Sequence, residues 1–136
     1  MNIDHIALWA DDIEGLKDFY TGYFNAEVAP RYHNPVRGLT SYFLTFPGGG
    51  AKLEIMNEPD IAESLHRGKA KGFCHIAVSV GSRADVDAMT ARLQADGHTV
   101  AGVPRVTGEG LYESVVLDPE GNIVELTCPG IFPRPE

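Results

Sequence analysis

Cysteine, basic residues and long apolar runs are all scarce in this 136-residue chain. Its two cysteines, Cys74 and Cys128, form no CxxC motif and no spacing typical of a disulfide-stapled domain, so we interpret them as free thiols in a reducing compartment. No apolar run approaches the roughly 18 residues that a membrane-spanning helix needs. The N-terminus lacks the basic and apolar regions of a secretory signal. These absences predict a cytoplasmic protein without a membrane partner.

The charge balance of the chain is acidic. It has 11 Lys and Arg residues against 19 Asp and Glu residues, which gives a net charge of −8. Binding to nucleic acid phosphates requires clustered positive side chains, so we expect no nucleic acid partner. The hydrophobic fraction of 43% is ordinary for a globular domain, and a chain of this length can bury one core.

What the sequence does contain is a short pattern written twice. Asp-His-Ile-Ala-Leu begins at Asp4, and Cys-His-Ile-Ala-Val begins at Cys74. His5 is followed about fifty positions later by Glu54 in Leu-Glu-Ile, and His75 is followed at the same spacing by Glu125 in Val-Glu-Leu. Imidazole and carboxylate groups are common ligands of divalent metal ions. The repeated spacing therefore predicts a metal site more strongly than any of these side chains alone.

Each half of the chain has the pattern of one strand, one helix and three further strands. The first half predicts a helix from Ile13 to Tyr23, and strands over 3–9, 27–29, 41–46 and 52–56. The second half predicts a helix between Ser82 and Gly97, and strands over 73–80, 98–103, 112–117 and 122–127. Turn-forming residues predict loops over 31–38 and 104–110.

The predicted fold class is α+β. Two paired βαβββ modules form a curved mixed sheet around a central cleft, with the helices outside. We expect a single domain over 1–130, with module one at 1–57, a linker at 58–72, module two at 73–128, and a C-terminal tail at 129–136.

Strand alternation predicts which residues accompany the ligands on the concave face. If His5 points toward that face, then Ile3, Ala7 and Trp9 do so too. If Glu125 points toward it, its flanking residues Val124 and Leu126 face the helices.

These motifs resemble the vicinal oxygen chelate superfamily, which includes glyoxalases, bleomycin resistance proteins and dioxygenases. The resemblance covers roughly residues 3–128, through Asp-His-Ile-Ala-Leu, Gly-Phe-Cys-His-Ile-Ala-Val and Asp-Pro-Glu-Gly-Asn-Ile-Val-Glu-Leu. It implies a single vicinal-oxygen-chelate domain with one divalent metal ion per site, for which Ni or Zn is favoured and Co, Mn or Fe is an alternative. The ligand set is similar to that of glyoxalase I, with His5, Glu54, His75 and Glu125 as metal ligands.

The resemblance implies a metal-dependent lyase or isomerase of the glyoxalase I (lactoylglutathione lyase) type. Such an enzyme moves a proton through a metal-bound enediolate on a small α-hydroxy or α-oxo substrate or its thiol adduct. Glu125 is the expected catalytic base, with Glu54 as its pseudo-symmetric counterpart. Trp9 stands near the position where glyoxalase I usually has an Arg, so the use of glutathione is an open alternative. A homodimer is expected, with its metal site either within one chain or across two.

Three other functions of the superfamily are alternatives. The first two are an epimerase and a thiol transferase of the fosfomycin-resistance type. The third is a metal-free ligand-binding protein of the bleomycin-resistance type. Metal content separates the enzymes from the binding protein.

Four further residues are candidate substrate contacts. Trp9 shares the phase of His5, Tyr42 and Tyr112 lie on predicted hairpin strands, and His33 lies in a predicted loop. The alternatives are core packing for the three aromatic residues and an ordinary surface position for His33. Glu113 is expected to be solvated unless its register turns it inward.

Overall fold

The computed structural model describes residues 1–133, which form two compact units. The first unit spans Met1–Ser64 and the second begins at Leu65. The last three residues of the predicted tail, 134–136, lie outside the described residues, and residues 129–133 contain no helix or strand. The division of residues 1–130 into one domain of two modules stays a prediction.

The first unit is a mixed sheet with one helix. Its elements are β1 (His5–Trp9), α1 (Ile13–Phe24), β2 (Glu27–Val28), β3 (Tyr32–Asn34), β4 (Leu39–Thr45) and β5 (Lys52–Asn57). The strand order is β1-β5-β4-β2, and β3 also pairs with β4. Only the β1–β5 pair is parallel, because α1 and the hairpin lie between these two strands in the chain.

The second unit repeats this plan. Its elements are β6 (His75–Ser79), α2 (Arg83–Ala95), β7 (Val100–Val106), β8 (Tyr112–Leu117) and β9 (Ile123–Thr127). The strand order is β6-β9-β8-β7, with β6 and β9 parallel and the other pairs antiparallel. The α+β class with two βαβββ-type modules is confirmed. The strands form two mixed sheets, one in each unit.

Each helix begins at a capping side chain and covers one face of its own sheet. In α1, Asp12 accepts a hydrogen bond from the amide of Gly15, and the helix ends at Asn25 in the left-handed conformation. In α2, Ser82 and Asp85 form a capping box. α1 packs on β4 and β5, and α2 packs on β7, β8 and β9. The other face of each sheet, which we call the open face, carries no helix of its unit.

The cores of both units come from strand residues that alternate with polar ones. In the first unit Leu53 and Ile55 are buried on either side of Glu54, and in the second Val124 and Leu126 are buried on either side of Glu125. A strand residue points to the opposite face from its neighbours, so each glutamate lies on the open face.

Two strands occupy segments that the sequence predicted as loops. β3 lies within the predicted loop 31–38, where it makes a short antiparallel pair with β4. β7 continues through Pro104 to Val106, although 104–110 was predicted as a loop. β7 is an edge strand whose register shifts between Gly102 and Arg105, and such a strand tolerates a proline that cannot donate a hydrogen bond.

Neither described helix has the length and apolar character that crossing a membrane would require. Among the described residues, both cysteines are free thiols, with Cys74 exposed and Cys128 buried.

The capping box of α2 makes a testable contribution to stability. Ser82→Ala should lower the free energy of unfolding by about 1 kcal/mol, because the amide of Asp85 loses its acceptor. Urea denaturation measures this loss. Ser64→Ala, at an exposed position outside any helix, is the matched control and should change stability little. Equal effects of the two substitutions would contradict the role of the cap.

Candidate functional site

The open face of the first unit brings His5 and Glu54 together. Parallel pairing of β1 with β5 sets Ala7 opposite Glu54. His5 lies two residues before Ala7 and therefore shares its face. The Nε2 atom of His5 is 3.8 Å from Oε2 of Glu54.

The open face of the second unit holds an equivalent pair. Parallel pairing of β6 with β9 sets Ala77 opposite Glu125, and His75 lies two residues before Ala77. The Nε2 atom of His75 is 3.2 Å from Oε2 of Glu125. The two units thus present the same two side-chain types, an imidazole and a carboxylate, at the same register positions. All four predicted ligands fall into these two pairs.

Asp4 orients the imidazole of His5. Oδ2 of Asp4 lies 2.8 Å from Nδ1 of His5 and 3.3 Å from Nζ of Lys52. The hydrogen bond to His5 and then that to Lys52 lower the pKa of the Asp4 carboxyl, so it is ionised at neutral pH. A histidine that donates Nδ1–H to a carboxylate keeps the Nε2 lone pair for a metal. The sequence reasoning missed this role of Asp4, although the residue directly precedes the predicted ligand.

The second unit lacks this carboxylate. Cys74 stands at the position that Asp4 has in the first unit, and its thiol donates a hydrogen bond to the Gly68 carbonyl at 3.3 Å. The two histidines therefore occupy equivalent positions in their sheets, but a carboxylate directly before the histidine contacts the imidazole only in the case of His5.

Aromatic side chains border the first pair. The rings of His5 and Phe43 meet edge to face, with centroids 5.3 Å apart, and Phe43 lies opposite Glu54 in the β4–β5 register. Trp9 shares the open face with His5 and is 39% exposed. Its predicted position is consistent with contact to a small molecule, and that role stays a prediction.

Glu113 is a further carboxyl on the open face of the second unit. It pairs with Thr127, two positions from the Val115–Glu125 pair, so its side chain shares the face of Glu125. The residue is only 6% exposed, and Oε1 lies 3.4 Å from Nη2 of Arg105. Burial, and then the nearby Glu125 charge, raise the pKa of Glu113, while Arg105 and His75 act in the opposite direction. The sequence predicted a solvated Glu113 unless the strand register turned its side chain inward. The observed register does so: the side chain lies on the open face beside Glu125 and is buried.

Three of the four predicted substrate residues do not share the faces of the His/Glu pairs. The hydroxyl of Tyr42 donates to Glu14 of α1, and the hydroxyl of Tyr112 donates to Asp87 of α2. Both rings therefore lie on the helix side, as the core-packing alternative describes. His33 lies on β3 opposite Thr40, out of phase with Phe43, and is exposed. These placements agree with the alternatives to substrate contact, which are core packing for Tyr42 and Tyr112 and a surface position for His33.

The donors of each pair are of types that bind divalent ions. Each pair offers one imidazole and one carboxylate and no thiolate, which are donor types found in Ni, Zn, Co, Mn and Fe sites. Within residues 1–133, however, no three His, Cys, Asp or Glu side chains gather into a complete metal site. Each pair alone supplies two ligands.

The raised pKa of Glu113 predicts how stability depends on pH. The folded protein holds this proton more tightly than the unfolded chain, so wild type should lose stability as pH rises through the raised pKa. Glu113→Gln cannot lose that proton, so its stability relative to wild type should be greater at pH 8 than at pH 4. Urea denaturation of chelator-treated protein measures the difference. Glu27→Gln, at an exposed strand position, is the control, and a Glu113→Gln difference independent of pH would contradict the assignment.

Comparison with known proteins assigns the chain to a family. The model of the glyoxalase/bleomycin resistance protein/dioxygenase superfamily matches residues 2–126. A relative, the ethylmalonyl-CoA/methylmalonyl-CoA epimerase of Cereibacter sphaeroides, is 29% identical over 114 residues, which cover 79% of this chain and 81% of the epimerase.

Two solved structures have the same fold. A glyoxylase/bleomycin resistance protein/dioxygenase domain from Frankia sp. EAN1pec has a TM-score of 0.79 at 18% identity, covering 96% of this chain and 98% of that one. A glyoxalase family protein from Enterococcus faecalis has a TM-score of 0.75 at 26% identity, covering 93% and 96%. The chain therefore belongs to the glyoxalase/bleomycin resistance protein/dioxygenase superfamily.

Proposed function

We propose that the two His/Glu pairs together hold one divalent metal ion and that the protein is an enzyme that moves a proton beside a carbonyl group. The observation that carries this proposal is the identical His–Ala–Glu arrangement in two units at the same register. His5, Glu54, His75 and Glu125 would hold this ion through two imidazole nitrogens and two carboxylate oxygens, a ligand set that suits a divalent metal. The pairs meet either within one chain or across a homodimer, and Ni or Zn is the favoured ion.

The chemistry divides between the ion and the side chains. When bound, the metal would act as a Lewis acid that stabilises negative charge on adjacent substrate oxygens. Glu125 would accept the proton from the neighbouring carbon, a general base contribution of roughly 10²- to 10⁴-fold. Glu54 is its counterpart in the first unit. Trp9 and Phe43 would give the substrate an apolar wall beside His5, which excludes water from the developing charge.

The leading substrate class is a small α-hydroxy or α-oxo compound or its thiol adduct, as in a glyoxalase I. A specific observation favours a second candidate, epimerisation of an acyl thioester, because the matching relative from Cereibacter sphaeroides is an epimerase of CoA esters. Both reactions begin with removal of a proton next to a carbonyl, so the same pairs serve either one. We also propose a cytoplasmic location, in keeping with the free thiols.

Metal binding tests the ligand set. Wild type should bind about one ion per chain, and His75→Ala should lose most of it, because an imidazole is removed from a four-ligand set. Elemental analysis after gel filtration measures the content. His66→Ala, at an exposed turn position, is the matched control and should retain the metal. Full retention by His75→Ala would overturn the ligand assignment.

The reaction is tested after loading with Ni, Zn, Co or Mn in turn. Turnover of methylglyoxal with glutathione would support the glyoxalase I type, and inversion of single-enantiomer methylmalonyl-CoA would support the epimerase. Bound metal without turnover of either compound would retain the metal site and contradict both substrate classes. A protein that binds no metal under any loading would contradict the proposal as a whole.

The contact between Asp4 and His5 predicts a difference between the two halves of the site. Asp4→Asn should weaken metal affinity about 10- to 100-fold, because His5 loses the carboxylate that fixes its ring and tautomer. Competition with a chromogenic chelator measures the affinity. Cys74→Ser, at the equivalent position of the second unit, should leave affinity unchanged. An unchanged affinity in Asp4→Asn would show that the carboxylate does not support the ligand.

A further inference from the structure

Glu113 is a buried carboxyl that the proposed metal ligands do not use. Its side chain is 8% exposed, against 18% for Glu125 on the same open face. The contact to Arg105 is long, at 3.4 Å, and the Arg105 side chain is half exposed to solvent. A loose ion pair of this kind compensates little of the cost of removing a carboxylate from water. A glutamine of the same shape would avoid that cost, so the carboxyl is a candidate for a functional role.

The first unit shows that the fold does not require a carboxyl at this position. Ser41 pairs with Met56, two positions along the strands from the Phe43–Glu54 pair. Glu113 likewise lies two positions from the Val115–Glu125 pair. Ser41 and Glu113 therefore occupy equivalent positions in the two units. Ser41 is also buried, at 2% exposure. The repeated frame therefore accepts a small polar side chain here. Only the second unit has an acid at this register position.

The surroundings of Glu113 suit proton exchange with a molecule bound on the open face. Glu125 lies on the adjacent strand of the same face, displaced diagonally by two positions, a spacing at which long side chains approach a shared neighbour. His75 forms a pair with Glu125 on this face, with Nε2 and Oε2 3.2 Å apart. Glu113 thus lies beside the proposed ligands on a strand that contributes none of them.

We propose that Glu113 is a second proton-transfer group of this site, which donates a proton to a carbon atom of the substrate after Glu125 has removed one. The inference rests on the proposed function. In the first half-reaction the C–H bond breaks, its proton goes to Glu125, and its electron pair forms the C=C bond of an enolate. In the second, a new C–H bond forms with the proton of Glu113. In an acyl thioester it forms at the carbon that lost its proton, and the original carbonyl is restored. In a thiol adduct it forms at the neighbouring carbon, the hydroxyl proton moves to the former ketone oxygen, and the carbon that lost its hydrogen becomes the thioester carbonyl. Proton exchange with water then resets both carboxyls, and no oxidant or reductant is needed.

These two roles predict that Glu113→Gln uncouples removal of the substrate proton from formation of the product, two steps that are coupled in wild type. Removal of the substrate hydrogen should continue, because Glu125 is intact, while product formation should fall about 100-fold, within the range for one acid–base group. The probes are single-enantiomer methylmalonyl-CoA and the methylglyoxal–glutathione adduct in D₂O. NMR measures deuterium entering the remaining substrate and the rate of product formation separately.

Three comparisons make this test specific. Glu113→Asp keeps a carboxyl and should recover part of product formation, whereas a packing defect would not distinguish the two variants in this way. Glu109→Gln, an exposed carboxyl in the preceding loop, should behave as wild type. Elemental analysis should find as much metal in Glu113→Gln as in wild type, and loss of metal would overturn the proposal by making Glu113 a ligand.

The remaining outcomes separate this inference from the proposed function. Equal losses of exchange and product formation in Glu113→Gln, or no loss of either, would overturn the role of Glu113 while leaving a wild type that turns over its substrate. A metal-loaded wild type that exchanges the hydrogen of neither probe would overturn the proposed function, and this inference with it.

Discussion

Parallel pairing between the first and last strands of each unit is the constraint on which the rest of the site depends. Its register sets an alanine opposite each glutamate, and the histidine two residues earlier then shares the same face. A slip of one residue would turn every side chain of a strand to the opposite face. The glutamate would enter the core, and the leucine or isoleucine beside it would face solvent. Register therefore fixes both the site and the core.

The same alternation joins ligand placement to stability. Leu53, Ile55, Val124 and Leu126 are almost completely buried, and they flank the two glutamates. Burying such side chains contributes roughly 1.5–3 kcal/mol each, far more than a solvent-exposed ion pair. The hydrophobic contacts with the helices thus hold the carboxylates in position. This arrangement explains why each glutamate lies alone within an apolar run.

Local signals in the sequence predicted the parts of the structure that depend on neighbouring residues. The strand over 112–117 and both helix starts were predicted correctly, because alternation and capping are read over a few residues. The parts that failed depend on pairing partners. β3 exists because β4 offers it an edge, and Pro104 stays in a strand because β7 lies at the edge of the sheet. Likewise, Tyr42 and Tyr112 lie on the helix side because of which face of each strand packs on its helix, and strand alternation alone does not say which face that is. The position of Glu113 on the open face depends on how β8 pairs with β9.

The alanines beside the glutamates have a consequence for the space around each carboxylate. Each glutamate has a methyl side chain opposite it on one neighbouring strand, and Phe43 or Val115 opposite it on the other. The methyl group takes up less space beside the carboxylate than Phe43 or Val115 does on the hairpin side. One alanine thus leaves space beside each carboxylate, and the proposed function, in which such a group holds an ion and also takes a proton, would require that space.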